Sequence, residues 1–290
     1  MEPTRALRKT AGVIGLGIIG SRVAAGLRQA GFATYVWNRS PKPMPNFLGS
    51  PAEVARECEV IQLFVADAAA TLDMITRMRD SLTPNHVVMC HGTIGLEGTL
   101  EAERRVKDTG AKFLDAPFTG SKGAAENRQL AYFVGGDEDT FVRAQPVLEA
   151  SAKSIVYIGA VGQAAVVKVV TNLISAATVQ MLAEALALCK KAGIASEALR
   201  AAIEPNAMRS GLIDMKLPKM VAGEFEPHFA LKHMFKDVQL GMQLANALGL
   251  DLPATSTIAG VMFKAMSRGL GDLDYAALAK AYEGEELNGQ

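Results

Sequence analysis

Cysteine is scarce in this chain. Only Cys58, Cys90 and Cys189 occur, far apart among 290 residues. That number and spacing exclude a disulfide framework and give no zinc-ligand pattern. An excess of either charge is also missing, because Lys plus Arg and Asp plus Glu each total 30. No whole-molecule attraction to nucleic acid or to an anionic membrane is expected, so any anion must be bound by local placement of charge. His86, His228 and His233 have no cysteine or carboxylate companion at ligand spacing, so no metal is expected. An unbroken apolar span is lacking too. Lys168, Asn172, Gln180 and Glu184 interrupt the most apolar stretch, Val161–Cys189. It reads as a long buried helix of a soluble protein rather than a membrane span. The first ten residues carry Arg5, Arg8 and Lys9 with no apolar core behind them. No secretory signal is expected, and a cytoplasmic location is.

What is present is a globular balance, 49% hydrophobic and 21% charged, with enough apolar material for two cores. From Gly12 to Ile158, short apolar runs alternate with helical patterns. Strands are expected at Gly12–Gly17, Ala33–Trp37, Val60–Val65, His86–Cys90, Lys112–Leu114, Leu130–Val134 and Ile155–Ile158, with a first helix over Ile18–Ala30. Such alternation predicts an α/β, doubly wound, mostly parallel sheet of Rossmann type. After Gly162 only helical patterns follow, at Gln163–Lys191, Ser196–Ile203, Ala207–Val221, Ala230–Leu248, Pro253–Ser267 and Asp274–Tyr282. Two domains are therefore expected: a dinucleotide-binding domain over residues 1–162 and an all-helical domain over residues 163–290, opened by a long interdomain helix. The polar end, Glu283 to Gln290, is expected to fray.

Gly15-Leu16-Gly17-Ile18-Ile19-Gly20 is a Gly-x-Gly-x-x-Gly motif between an expected strand and an expected helix. Gly15 suits a tight turn, Gly17 lets backbone approach a pyrophosphate, and Gly20 lets helix and strand pack closely. The helix start would offer free N–H groups and the positive end of its dipole to the phosphates. Val65 and Ala66, closing the third strand, are expected beside the same cofactor. An NAD site usually places a carboxylate at the end of the second strand. This chain has Asn38, Arg39 and Ser40 there, with Lys42 nearby. Arg39 can grip a 2′-phosphate bidentately and Ser40 can add a hydroxyl, so the expected cofactor is NADP.

Lys168 and Asn172 stand four apart in the long helical pattern and share one face. A lysine and an amide on an otherwise apolar helix need either a polar site to face or a route for the lysine to snorkel to water.

Several segments together resemble the β-hydroxyacid dehydrogenase family, which includes 3-hydroxyisobutyrate dehydrogenases and tartronate semialdehyde reductases. They are Gly15–Gly20, Asp115-Ala116-Pro117-Phe118-Thr119-Gly120, Gly162 through Lys168 to Asn172, and Lys236-Asp237. The resemblance covers nearly the whole chain. Gly120-Ser121-Lys122, Gln129-Leu130 and Leu231-Lys232-His233 look most like the glyoxylate and succinic semialdehyde reductase branch. The resemblance implies that Lys168 is the catalytic lysine and Asn172 a substrate-binding asparagine. It implies that Thr119 and Gly120 form a substrate loop and that Thr93 lies near the nicotinamide. It also implies that Lys236 closes over the cofactor, with Asp237 positioning it. The implied reaction is NADP(H)-dependent interconversion of a small aldehyde-acid and its hydroxyacid in an interdomain cleft, with Lys168 as general acid or base.

The chain departs from the family where Asp-x-Ser-Thr is usual and Cys90-His91-Gly92-Thr93 stands instead. A backbone N–H at Gly92, or the His91 imidazole, is then the candidate to hold a substrate carboxylate. Two rival readings stay open: an imine reductase of the same architecture, and a non-catalytic NADP-binding interaction protein. Retention of Lys168 argues against both. The Ala-, Leu- and Met-rich helical half is expected to assemble as a homodimer or homotetramer. Met208, Met215, Met220 and Met234 read as core filler or pocket lining, and the three cysteines as packing residues.

Overall fold

The computed structural model describes residues 9–282, and the tail expected to fray, Glu283–Gln290, lies outside the described residues. The chain divides into two compact units, Met1–Lys168 and Val169–Gln290.

The first unit is an α/β sheet structure. Its strands are β1 (Thr10–Ile14), β2 (Ala33–Trp37), β3 (Val60–Leu63), β4 (Val87–Cys90), β5 (Lys112–Asp115), β6 (Phe118–Thr119), β7 (Leu130–Gly136) and β8 (Ala152–Gly159). Between them lie α1 (Gly20–Gln29), α2 (Pro51–Glu57), α3 (Ala68–Met78), α4 (Gly95–Lys107), α5 (Lys122–Glu126) and α6 (Glu138–Glu149). The order is β2-β1-β3-β4-β5-β7-β6, with β8 also paired to β7. The five strands from β2 to β5 are mutually parallel, while β7 runs antiparallel to β5 and β6. Apart from the buried Gln62 of β3, the central strands β3 and β4 are apolar on both faces because both faces are covered. Val60, Val87 and Met89 join one core with Val23, Leu27 and Val147. Ile61, Leu63, Val88 and Cys90 point the other way, into a core with Val54, Met74, Ile75 and Val106.

Local chemistry explains where the expected boundaries move. β1 stops at Ile14 because Gly15 turns the chain at φ +96°. The turn runs on to Ile19, so α1 starts at Gly20 rather than Ile18. β6 is only two residues long and gives no periodicity to read. It forms because Phe118 and Thr119 pair with Tyr132 and Ala131.

In the second unit, α7 (Gln163–Lys191) continues from the first, followed by α8 (Ser196–Ile203), α9 (Gly211–Ala222), α10 (Leu231–Ala247) and α11 (Pro253–Ser267). Ala176, Val179, Leu182, Ala183 and Leu186 of α7 pack into a core with Leu217, Met220, Met234, Val238 and Met262. The helix is long and apolar enough by composition to cross a bilayer. It is only partly buried, since Val170, Ile174, Met181 and Leu188 are exposed. Asn206 accepts from the Met208 N–H and Ser210 caps α9 through the Ile213 N–H, so α9 begins at Gly211 instead of Ala207. Met208 and Met215 are exposed, against expectation, whereas Met220 and Met234 are core. The last expected helix is a 3-10 turn, Tyr275–Tyr282. Asp274 opens it by accepting the Ala276 N–H while holding the His228 and Phe229 N–H groups.

Candidate active site

The glycine turn has the shape of a cradle. A Cβ on Gly15 would sit 2.2 Å from the Phe64 carbonyl oxygen, and one on Gly20 would sit 2.0 Å from that of Gly15. Neither position tolerates a side chain, so strand, turn and helix meet at backbone distance. Gly17 is different: a Cβ there would meet nothing within 4 Å. Its side of the turn is open, as a phosphate approach requires. Ile18 beside it is exposed, and Ile19 packs against the sheet core. Ser50, Asp67, Ser121 and Asp137 cap α2, α3, α5 and α6 with their side chains. The start of α1 has no side-chain cap and no acidic residue in its first turn. Its N–H groups and dipole end suit an anion. These features fit a dinucleotide pyrophosphate.

Along the same carboxyl edge stand the residues that follow β2, β3 and β4, where open α/β sheets bind ligands. Asn38 accepts from the Leu16 N–H at 2.9 Å and donates to the Ser40 carbonyl at 2.8 Å. It is therefore a brace between two loops. Arg39 and Ser40 are exposed beyond it. Val65 is half-buried and Ala66 exposed, just before the α3 cap. A Cβ on Gly92 would lie 2.6 Å from the Val65 carbonyl oxygen. The loops after β3 and β4 touch there, and a serine at position 92 would force them apart. Thr93 is half-buried in the turn leading to α4.

His91 does not serve as an anion site. It is 2% exposed, stacks on Phe64 at 4.3 Å and donates from Nδ1 to the Ala116 carbonyl at 2.6 Å. Burial lowers its pKa to about 4, against which the Ala116 bond is the smaller influence, so the imidazole is neutral. Its role is packing: Phe64, His91, Phe118 and Tyr132 tie the ends of β3, β4, β6 and β7 together. Thr119 and Gly120 follow Phe118 and are both exposed. Gly120 has φ +142°, and a Cβ there would come within 2.7 Å of Leu130.

Asp115 is the residue whose task the sequence did not disclose. It closes β5, is 2% exposed, and accepts the Ala165 N–H at 2.8 Å. Burial raises its pKa, while the Ala165 and Gly162 N–H groups favour its charged form. Gly162 turns at φ +92° into space where a Cβ would strike Leu96. The carboxylate thus caps the start of α7, and Lys168 follows Ala165 by about one turn, half-buried. The sequence signals it only indirectly, by an acid following the apolar pair Phe113-Leu114 at the head of the Asp115–Gly120 segment.

In the second unit, Asn172 is 7% exposed and donates to Asp237 Oδ2 at 2.6 Å. The other oxygen of Asp237 pairs with Lys236 Nζ at 2.9 Å. Asp237 thus joins Asn172 of α7 to Lys236 of α10. The helical period places Asp237 on the α10 core face with Met234 and Val238, but gives no sign of the cross-helix bond. Cys90 is buried, as expected, with its thiol 4.0 Å from Thr71. Among the described residues, no group of three or more His, Cys, Asp or Glu could hold a metal ion.

Comparisons with known proteins agree with this geometry. Residues 10–159 match the profile of the NAD binding domain of 6-phosphogluconate dehydrogenase. Residues 162–282 match that of the NAD-binding region of NADP-dependent 3-hydroxyisobutyrate dehydrogenase. Glyoxylate/succinic semialdehyde reductase 1 of Arabidopsis thaliana is 30% identical, the match covering 93% of this chain and 97% of that protein. The Mycobacterium tuberculosis 3-hydroxyisobutyrate dehydrogenase structure superposes with a TM-score of 0.87 at 26% identity, covering 95% of this chain and 99% of that one. The cytokine-like nuclear factor N-PAC of Mus musculus is 26% identical over 94% of this chain, which spans 51% of that protein. Carrying a glycine cradle for a nicotinamide cofactor, an Asp115-capped lysine helix and both matching profiles, the chain belongs to the β-hydroxyacid dehydrogenase family of NAD(P)-binding oxidoreductases.

Proposed function

We propose that this protein is an NADP(H)-dependent oxidoreductase that interconverts a small aldehyde-acid and its hydroxyacid. Succinic semialdehyde and glyoxylate are the first candidates, on the strength of the Arabidopsis thaliana reductase. One observation carries the reading. Lys168 is retained one turn beyond the Asp115-capped start of α7, in the unit that holds the glycine cradle. When bound, the nicotinamide supplies or accepts the hydride. Lys168 gives a proton to the nascent alkoxide in reduction and takes it from the alcohol in oxidation. Asn172 orients the reacting oxygen or the carboxylate, and Thr119, Gly120 and the backbone at Gly92 contribute to substrate binding. Thr93 and Lys236 act at the cofactor.

The NADP preference is supported by Asn38-Arg39-Ser40, which offers a guanidinium where an NAD site would offer a carboxylate. Arg39→Ala is expected to weaken NADPH far more than NADH, and wild-type protein that uses NADH equally well would remove the preference. Lys168→Ala tests the chemistry. Cofactor affinity is expected to hold, because the cradle and Arg39 remain. Single-turnover reduction is expected to fall about a hundredfold or more, the scale of a lost general acid. Lys168→Arg does not rescue it, since a guanidinium releases no proton near neutral pH. Near-normal chemistry in Lys168→Ala would remove the lysine from the mechanism, whereas wild-type protein that binds NADPH but reduces no aldehyde would favour the non-catalytic reading that the N-PAC resemblance raises.

We also propose assembly as a homodimer or homotetramer through the second unit. Val170, Ile174, Met181 and Leu188 recur at heptad-like spacing and are exposed, which suits burial against another copy. Light scattering that reports a monomer at micromolar concentration would sink this proposal.

A further inference from the structure

The loop after β2 carries a cation that the NADP reading leaves without a task. Lys42 is exposed as a residue, but its ammonium is engaged: Nζ donates to the Leu16 carbonyl oxygen at 2.5 Å. The N–H of the same Leu16 donates to Asn38 Oδ1 at 2.9 Å. Both polar atoms of the central residue of the glycine turn are thus held by side chains from the second loop. That loop is itself anchored. Arg28 donates to the Pro45 carbonyl at 2.8 Å, Val36 N–H to the Asn46 carbonyl at 3.0 Å, and Leu48 N–H to the Val36 carbonyl at 2.9 Å. Pro41, Pro43 and Pro45 fix φ at three of its positions. Lys42 therefore reaches across from a stiff support.

The planarity of the peptide bond gives this contact a consequence. The Leu16 carbonyl and the Gly17 N–H belong to one trans peptide, so they point in opposite directions. Whatever holds the carbonyl also aims the N–H. Gly17 is the cradle position facing open space, with nothing within 4 Å of a Cβ built there. We propose that Lys42 is a positioning residue for the cofactor's pyrophosphate. By holding the Leu16 carbonyl it directs the Gly17 N–H to the open side of the turn. A charged donor on the carbonyl also polarises the peptide, which makes that N–H a stronger donor, since hydrogen bonds in series reinforce one another. Arg39, two residues beyond the end of β2, takes the 2′-phosphate, so the two cations of this loop have different work. This proposal rests on the glycine turn as a dinucleotide site, and on neither the NADP preference nor the role of Lys168.

The test uses the full-length chain, with Lys42→Met and Lys42→Arg, and four probes: NADH, NADPH, ADP-ribose and adenosine 2′-monophosphate. The first three contain a pyrophosphate, and the last carries a 2′-phosphate without one. Lys42→Met is expected to raise the Kd of all three pyrophosphate probes by a similar factor, about tenfold, the scale of a charge-assisted hydrogen bond. The adenosine 2′-monophosphate Kd is expected to stay put. Lys42→Arg recovers most of the affinity, because a guanidinium also donates to a carbonyl. An unchanged thermal midpoint for Lys42→Met separates this loss from unfolding, which is expected because Asn38 still holds Leu16. A loss confined to NADPH and adenosine 2′-monophosphate would make Lys42 a 2′-phosphate ligand and overturn the proposal. Unchanged affinity for all four probes would overturn it too. If the wild-type protein bound no adenosine 2′-monophosphate, the NADP preference would fall, while NADH and ADP-ribose would still report on Lys42.

Discussion

In the first unit the groups open to a ligand are mostly backbone: the Gly17 face and the uncapped start of α1. In the second unit the polar groups are side chains already matched to one another. Asn172, Asp237 and Lys236 form one such set. Lys216 and Asp274 form another, 2.6 Å apart and 2% and 0% exposed. Backbone donors have a fixed direction and stay available for a partner, whereas buried side-chain charges must be satisfied within the fold. A change at those open backbone groups of the first unit should therefore register mainly as binding, and one at the matched side chains of the second mainly as stability.

The sharpest break of that contrast is expected at the buried pair. Burial alone would raise the Asp274 pKa, but the Lys216 ammonium and the Ala276 and Phe229 N–H groups outweigh it and hold the carboxyl below its ordinary range. Lys216 also lies 4.2 Å over the Tyr275 ring. Lys216→Met leaves Asp274 buried and uncompensated, so a loss of about 3–5 kcal/mol is expected on chemical denaturation. ADP-ribose affinity is expected to stay at the wild-type level. A tenfold loss of that affinity would show the two kinds of site to be coupled.

His91 is a buried side chain of the first unit whose cost appears only in acid. Its folded pKa is depressed from 6.5 to about 4. Above pH 6.5 folded and unfolded chains both carry neutral imidazole, and the group adds no pH dependence. As pH falls from 6.5 toward 4, only the unfolded chain takes up the proton, so stability is lost across that window and then levels. The shift corresponds to about 3 kcal/mol. Denaturation of His91→Phe across the same window is expected to show a flatter acid limb than wild type. Identical slopes would mean that the imidazole titrates normally.

Asp115 predicts a smaller effect. Asp115→Ala strips the buried start of α7 of its acceptor and is expected to cost about 1–3 kcal/mol. Asp115→Asn keeps a carbonyl oxygen for the Ala165 and Gly162 N–H groups and is expected to lose less. Equal losses in the two variants, by thermal or chemical denaturation, would mean that charge rather than the acceptor atom holds the helix.

These cases show what was legible in the residues. The apolar runs that became β3 and β4, the bounds of α7, α8 and α11, and the cradle glycines could be read because each depends on neighbours in sequence. The Lys42–Leu16 bond spans 26 positions and the Asn172–Asp237 bond 65. No local period encodes such separations, so Lys42 read only as a nearby loop cation. His91 misled for a related reason. Its position beside Gly92 suggested chemistry, but alternation along β4 turns it to the core face with Met89.

The smallest stability effect belongs to Gly17→Ala, and it separates folding from binding within three neighbouring glycines. Gly15→Ala forces a non-glycine residue to φ +96° with its methyl 2.2 Å from the Phe64 carbonyl oxygen. Gly20→Ala places a methyl 2.0 Å from the Gly15 carbonyl oxygen. Both should destabilise the first unit, because something in the backbone must move. Gly17 is not among the glycines of positive φ, and its Cβ position is empty. Alanine at such a site restricts the unfolded chain, so stability should change by less than about 1 kcal/mol and can rise. The methyl would nevertheless occupy the face through which a pyrophosphate approaches the turn. ADP-ribose affinity should therefore fall while the thermal midpoint holds. Isothermal titration beside thermal unfolding of the same sample decides it: a Gly17→Ala protein that keeps both would show that the open side of the turn does not receive the phosphates.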